Sequence, residues 1–209
     1  MSTSDASLPS PAAEAVVCLA SASPRRRELL SQIGVPCCVR PAQLDESRQH
    51  AESPREYVLR LACAKALAVQ PAARSLPVLA ADTAVVLEGR VFGKPRDRDE
   101  GLDMLAALSG RTHVVLTAVA LCHAGRLDSA LSASEVRMRC LSAAERAAYW
   151  ESGEPHDKAG SYAIQGRGAL FIEWLQGSYS GVMGLPLYEA AQLLRRIGIP
   201  AWLPQGAAA

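Results

Sequence analysis

The run Val78-Leu79-Ala80-Ala81-Asp82-Thr83-Ala84-Val85-Val86-Leu87 is apolar throughout except for a carboxylate and a hydroxyl at its centre. Pro77 precedes it and Gly89 turns the chain after it, so it reads as a buried strand with polar residues in mid-course. A carboxylate lodged there must be paired, protonated or bound to a metal, because burying a lone charge is costly. Any fold for this chain has to bring a partner to Asp82.

Around this run, strand and helix signals alternate. Val16 to Ala20 is a short apolar strand, broken by Ser21-Ala22-Ser23-Pro24. Ser23 stands as an N-cap with Pro24 in the first turn, and the helix that follows ends at Gly34. Residues 35 to 40 suggest a second strand, leading to an acidic loop at Asp45 and Glu46. Ser53-Pro54-Arg55-Glu56 opens another helix, with Val58, Leu61, Ala62, Ala66 and Leu67 on its apolar side. A helix near 97–108, strands at 113–121 and 131–139, a helix at 142–151, a strand at Phe171-Ile172 and a closing helix at 188–197 complete the pattern. The class is α/β with a central mixed β-sheet. Residues 1–14 are rich in Ser, Ala and Pro and read as a disordered tail, 15–200 as one domain, and 201–209 as a C-terminal tail.

Hydrophobic residues make up 49% of the 209, enough for a sizeable core. The formal net charge of +1 leaves no polyanion footprint, so nucleic acid is not an expected partner and any phosphate site must be built locally. No apolar run approaches a membrane span, and no charged leader precedes an apolar one, so a cytoplasmic protein without membrane attachment is expected. Cys18, Cys37, Cys38, Cys63, Cys122 and Cys140 form no CxxC pair and read as buried free thiols of a reducing compartment.

Four features resist a purely structural explanation. Ser21 to Arg27 (SASPRRR) joins basic side chains to the free N–H groups of a helix start directly after a strand, a geometry that suits a polyphosphate. The bland alternative is a capped helix with a solvated first turn, although cations there oppose the helix dipole. Asp82-Thr83 sits where α/β sheets bind ligands, and Asp82 could ligate a divalent ion or act as general base on water. Glu46, Lys65 and Lys94 are single charges that would each pass for surface groups, with Lys94 held between Gly93 and Pro95. Finally, Asp157 to Gly168 sets polar groups among glycines, and the Gln165 amide could read the Watson–Crick edge of a base. His113 and His123 have no zinc spacing and read as packing or surface residues.

Together these residues resemble the Maf family of nucleotide pyrophosphatases, from about Val16 to Gly198. The resemblance is carried by LASASPRR (19–26), Asp45-Glu46, Lys65 in RLACAKA, AADT (80–83), GKP (93–95), SGRTHVVLTAVAL (109–121), DKAGSYAIQGRGALFI (157–172) and GSYSGVMGLPL (177–187). It implies an elongated, two-lobed, ITPase-like fold with a cleft between the lobes, and metal-dependent release of pyrophosphate from a nucleoside triphosphate. SPRR, ADT and DKAGSYAIQG resemble the dTTP/UTP branch rather than the sister branch acting on 7-methyl-GTP. By position, Asp82 resembles the proton acceptor, and Arg25, Thr83 and Gln165 the residues linked to base choice. Ser21, Arg26, Glu46, Lys65 and Lys94 resemble pocket residues that handle metal and phosphates. Glu46 and Asp82 are the implied ligands of Mg²⁺ or Mn²⁺. Gly181 stands where the family often has a polar residue, which is expected to loosen a loop near the site. The expected partners are the nucleotide and, in assembly, a second copy in a homodimer, a state the sequence does not fix. The alternatives are a pyrophosphatase for other noncanonical nucleotides and a non-catalytic nucleotide-binding regulator of cell division.

Overall fold

A computed structural model describes residues 14–73 and 75–202. Seven strands form one mixed sheet: β1 (Val17–Leu19), β2 (Cys37–Val39), β3 (Val78–Leu87), β4 (Arg90–Phe92), β5 (Thr112–His123), β6 (Arg126–Met138) and β7 (Ile172–Gln176). The order is β2-β1-β3-β5-β6-β7, with β4 also on β3. β1 runs parallel to both β2 and β3, and every other pairing is antiparallel. The helices are α1 (Pro24–Gln32), α2 (Pro54–Val69), α3 (Arg98–Leu108), α4 (Ala143–Glu151), α5 (Tyr179–Met183) and α6 (Leu187–Arg196).

The local chemistry of these elements is legible. α2 and α4 each start with a reciprocal capping box, Ser53 with Glu56 and Ser142 with Glu145. Asp97 caps α3 by accepting from the Glu100 N–H. The period-2 alternation of β3 sends its residues to two layers. Val78, Ala80 and Ala84 pack with Val58, Ala62, Ala66 and Val69 of α2 and with Leu116, Ala118 and Ala120 of β5. Leu79 and Ala81 pack on the opposite face with Leu29 and Leu30 of α1 and with Leu193 and Leu194 of α6. A third cluster joins Val85, Leu87 and Phe92 to Met104, Leu105 and Leu108 of α3, and to Tyr149, Tyr162 and Phe171. The small side chains between α2 and the sheet let helix and strand approach closely, which sets how far a residue on α2 can reach.

One feature of the sheet places the site. β1 pairs with β3 only at Val78 and Leu79, and Ala20 N–H then donates to the Leu79 carbonyl at 2.8 Å. β4 takes up the same edge of β3 only from Val85. Between them, residues 80–84 are paired to β5 alone, so one edge of the central strand is open at Asp82 and Thr83.

Several boundaries differ from the sequence reading. β6 begins at Arg126 rather than Leu131, because its first half alternates polar residues outward and lacks an apolar signature. The strand expected at Phe171-Ile172 runs from Ile172 to Gln176, and Gly166–Phe171 is a 3₁₀ segment. β4 and α5 are too short to show a period. All six cysteines are free, yet only Cys18 and Cys122 are buried and Cys140 is exposed. His113 is a buried packing residue whose Nε2 lies 2.7 Å from the Tyr162 hydroxyl. Of the two proposed tails, residues 1–13 and 203–209 lie outside the described residues, while the Trp202 N–H bonds the Ile33 carbonyl at 2.8 Å. Among the described residues no helix is long and apolar enough to cross a membrane.

Candidate active site

Beside the open edge of β3 lies a cleft of about 560 Å³. Ser21, Arg25, Arg26, Glu46, Lys65, Asp82, Thr83, Lys94 and Gln165 all line it. Residues spread over more than half the chain therefore meet at one place. The turn after β1 and the start of α1 supply Ser21, Arg25 and Arg26, and α2 supplies Lys65. The β4–α3 connection brings Lys94, and the segment after α4 brings Gln165.

Asp82 is 6% exposed and points to the α2 layer. Lys65, 8% exposed, meets it there, with Nζ donating to Oδ1 at 2.7 Å. The same ammonium lies 2.8 Å from Glu46 Oε1, so one cation bridges a buried and a half-exposed carboxylate. Burial pushes the Asp82 carboxyl above its ordinary range, the Lys65 and Arg26 cations pull it back only partly, and Glu46 adds to the rise. Among the described residues no hydrogen bond reaches the second oxygen of Asp82 or of Glu46. Asp82 is thus a weakly solvated base with one oxygen anchored and one available.

Thr83 points to the other layer. Its Oγ1 accepts from Arg26 Nη2 at 3.3 Å and lies 3.1 Å from Thr117 Oγ1, to which it can donate, since Thr117 gives its own proton to the Gly181 carbonyl at 2.7 Å. Arg26 further donates from Nε to the Gly184 carbonyl at 2.7 Å and from Nη1 to Ser21 Oγ at 3.1 Å. Its guanidinium therefore ties α1, β3 and the α5–α6 connection together. Ser23 occupies the N-cap position of α1, but its hydroxyl makes no capping bond. Instead the Ser21 hydroxyl accepts from the Ser23 N–H at 3.2 Å, which tightens the turn. The Gly181 expectation is corrected: the residue is buried in α5, where an added Cβ would lie 3.1 Å from Ser178 and 3.2 Å from Ser132 Oγ. Glycine here allows close packing rather than loosening a loop.

Three more cleft residues had no role of their own in the sequence reading, although Asp157 and Lys158 open its Asp157–Gly168 segment. Lys158 forms an ion pair with Asp157, which also lies 3.9 Å from Arg25 Nη1. Tyr57 donates its hydroxyl to the Glu46 carbonyl at 3.0 Å and so holds the acidic loop. Its signal was present, since 57, 61 and 65 fall on one face of α2 at helical spacing. Lys158 was hidden by its neighbour, because adjacent Asp and Lys read as a neutral surface pair. Five cationic side chains, Arg25, Arg26, Lys65, Lys94 and Lys158, face three anionic ones, Glu46, Asp82 and Asp157. That surplus suits a polyanion more strongly charged than the cleft itself.

Among the described residues there is no cluster of three or more His, Cys, Asp or Glu side chains able to cage a metal ion. The carboxylates of Glu46 and Asp82 nevertheless both reach the Lys65 ammonium and so stand close together, each with its second oxygen unbonded, and a magnesium-like ion is commonly held by one or two carboxylates together with substrate phosphates. The donor set fits such an ion.

The family description "Maf-like protein" matches residues 16–197. The chain is 52% identical over 190 residues to a dTTP/UTP pyrophosphatase of Saccharophagus degradans, covering 88% of this chain and 90% of that one. It is 55% identical to the protein so named in Bordetella avium, covering 87% and 94%. To that of Alkalilimnicola ehrlichii it is 56% identical over 182 residues, covering 84% and 90%. A solved HAM1 protein from Coxiella burnetii overlaps at TM-score 0.38 and 19% identity, covering 60% of this chain and 73% of that one.

Proposed function

This chain belongs to the Maf family, and from that premise we infer that it is a nucleoside triphosphate pyrophosphatase acting on dTTP and UTP. The reaction adds water to the α-phosphorus, breaks the bond from that phosphorus to the oxygen of the β-phosphate, and yields the nucleoside monophosphate and pyrophosphate. The observation that carries the reading is the buried Asp82–Lys65 pair on the open edge of β3, inside a cleft with a cationic surplus.

In the mechanism we propose, Asp82 takes the proton of the attacking water. Its raised affinity for protons suits a base, and the Lys65 bond keeps its carboxylate oriented. Arg25, Lys94 and Lys158 meet the triphosphate and offset the charge that develops on the leaving group, the largest contribution in such transfers. Arg25 and Lys158 are held by Asp157 until phosphate oxygens replace it. Arg26 and Ser21 shape the turn that receives the phosphates. A divalent ion such as Mg²⁺ or Mn²⁺ would be held by Glu46 and Asp82 and would supply further charge neutralisation there. Gln165 hydrogen-bonds the base. A uracil or thymine edge offers a donor between carbonyl acceptors, a pattern that one fixed amide reads and that cytosine reverses. The free thiols support a reducing, cytoplasmic setting.

A nucleotide panel with separate detection of pyrophosphate and orthophosphate tests this. Pyrophosphate from dTTP and UTP, lost on chelation and restored by Mg²⁺ or Mn²⁺, is expected. Tight nucleotide binding without turnover would make the protein a regulator, and a stronger preference for modified nucleotides would move the substrate class. Gln165→Glu removes the amide donor, so kcat/KM for dTTP and UTP should fall about tenfold. An unchanged substrate profile would exclude this residue from base reading.

A further inference from the structure

The Gln165 side chain makes no hydrogen bond to any described residue, although it lines the cleft. The part of its path that is fixed is therefore where its Cα–Cβ bond starts, and the backbone on either side sets that. Upstream, the Ala163 N–H donates to the Tyr149 hydroxyl oxygen at 3.0 Å. Downstream, the Arg167 N–H donates to Glu154 Oε2 and the Gly168 N–H to Glu154 Oε1, each at 2.9 Å. The Tyr149 hydroxyl closes the circuit by donating to Glu154 Oε1 at 2.8 Å. One phenol and one carboxylate thus grip both feet of the turn that carries Gln165.

The packing leaves little room for another arrangement. Gly166 has φ +69°, and a Cβ there would lie 2.5 Å from Glu154 Oε2. A Cβ on Gly168 would come within 2.2 Å of the Ala163 carbonyl oxygen and 2.7 Å of the Tyr149 hydroxyl. Tyr149 is 3% exposed and packs edge-on against Phe171, ring centroids 4.9 Å apart. Burial alone would raise the Glu154 carboxyl, but the N–H groups of Gly168 and Arg167 and the Tyr149 hydroxyl outweigh it and hold the carboxyl below its ordinary range. It is an acceptor-only anion facing three donors. Neither Glu154 nor Tyr149 lines the cleft, so neither meets the nucleotide.

We propose that Glu154, with Tyr149, is a positioning residue for base selectivity, fixing the 163–168 turn so that Gln165 enters the cleft from one place, within reach of the pyrimidine edge. This rests on the reading of Gln165 as the base-contacting group. Glu154→Gln would set an NH₂ donor against one of the two downstream N–H groups and so loosen that foot of the turn. In Tyr149→Phe the ring and its contact with Phe171 remain, while the acceptor for Ala163 is lost.

The test compares kcat and KM of Glu154→Gln, Tyr149→Phe, Gln165→Ala and the Glu154→Gln/Gln165→Ala double variant on dTTP, UTP, CTP and GTP. The inhibition constant of inorganic tripolyphosphate is measured alongside, as a probe of the phosphate end alone. In both single positioning variants, KM for dTTP should rise about tenfold and the dTTP-over-CTP preference should collapse, with tripolyphosphate inhibition unchanged. In the double variant, Glu154→Gln should add no loss of preference to that of Gln165→Ala, because the two act as one unit. Equal losses on all four nucleotides, or a further loss of preference in the double variant, would overturn the proposal. A full preference retained by Gln165→Ala would instead overturn the reading of Gln165, and this proposal with it.

Discussion

Replacing Asp82 by asparagine is expected to lower kcat for dTTP by roughly 10²–10⁴-fold while leaving the fold and nucleotide affinity in place, the range that loss of a positioned general base produces. The amide oxygen can still accept the bond that Lys65 makes at 2.7 Å, so the α2–β3 contact survives. The amide cannot take a proton from water. The midpoint of thermal unfolding should not drop, because burial already disfavours the charged carboxylate and asparagine removes that cost. In the wild type, kcat/KM should fall on the acid side with an apparent pKa above the ordinary aspartate value of about 3.9. Near-normal turnover in the variant would remove Asp82 from the chemistry.

The Lys65→Met variant should show the largest loss of stability. It leaves the Asp82 carboxylate buried without its nearest cation, a change that typically costs about 3–5 kcal/mol. The half-exposed Glu46 adds repulsion but little net energy. The sign of the pH dependence follows from linkage. Asp82 already holds its proton more tightly folded than unfolded, and loss of Lys65 removes the largest opposing influence. Between the unfolded pKa and the further-raised folded one, the native state binds more protons, so its stability falls as pH rises through that window and recovers on acidification. Urea titrations of variant and wild type from pH 4 to pH 8 read the difference directly. A deficit independent of pH would mean that packing, not the unpaired charge, is what Lys65 supplies. Activity should fall on the order of 100-fold as well, through the misoriented base.

Much of this was legible in the sequence, for reasons that differ from residue to residue. Asp82 announced itself because a charge in an apolar run is costly and so demands a partner. The start of α1 was legible because Pro24 and three arginines follow a strand after one short turn. Lys65 was harder: its neighbours are alanine and leucine, and only the tertiary packing of α2 on β3 shows the ammonium to be buried. The first half of β6 and all of β4 escaped notice because the one is polar-faced and the other spans three residues. Glu154 carried no signal. It follows α4 in an ordinary turn of polar residues, and its role comes from backbone donors 13 and 14 positions downstream, which no local pattern encodes.

The central strand is anchored on the same flank by different partners near its two ends, with its mid-span left clear. A beam clamped in this way resists bending where it bears Asp82. Entry and exit of nucleotide are then expected to fall to the connecting segments that flank the opening, with the distance between the acid and its helix-borne cation little changed. Rigidity at the chemistry and compliance at the rim are thus divided between different parts of the chain, so changes in the rim can alter which nucleotide enters without disturbing how it is cut.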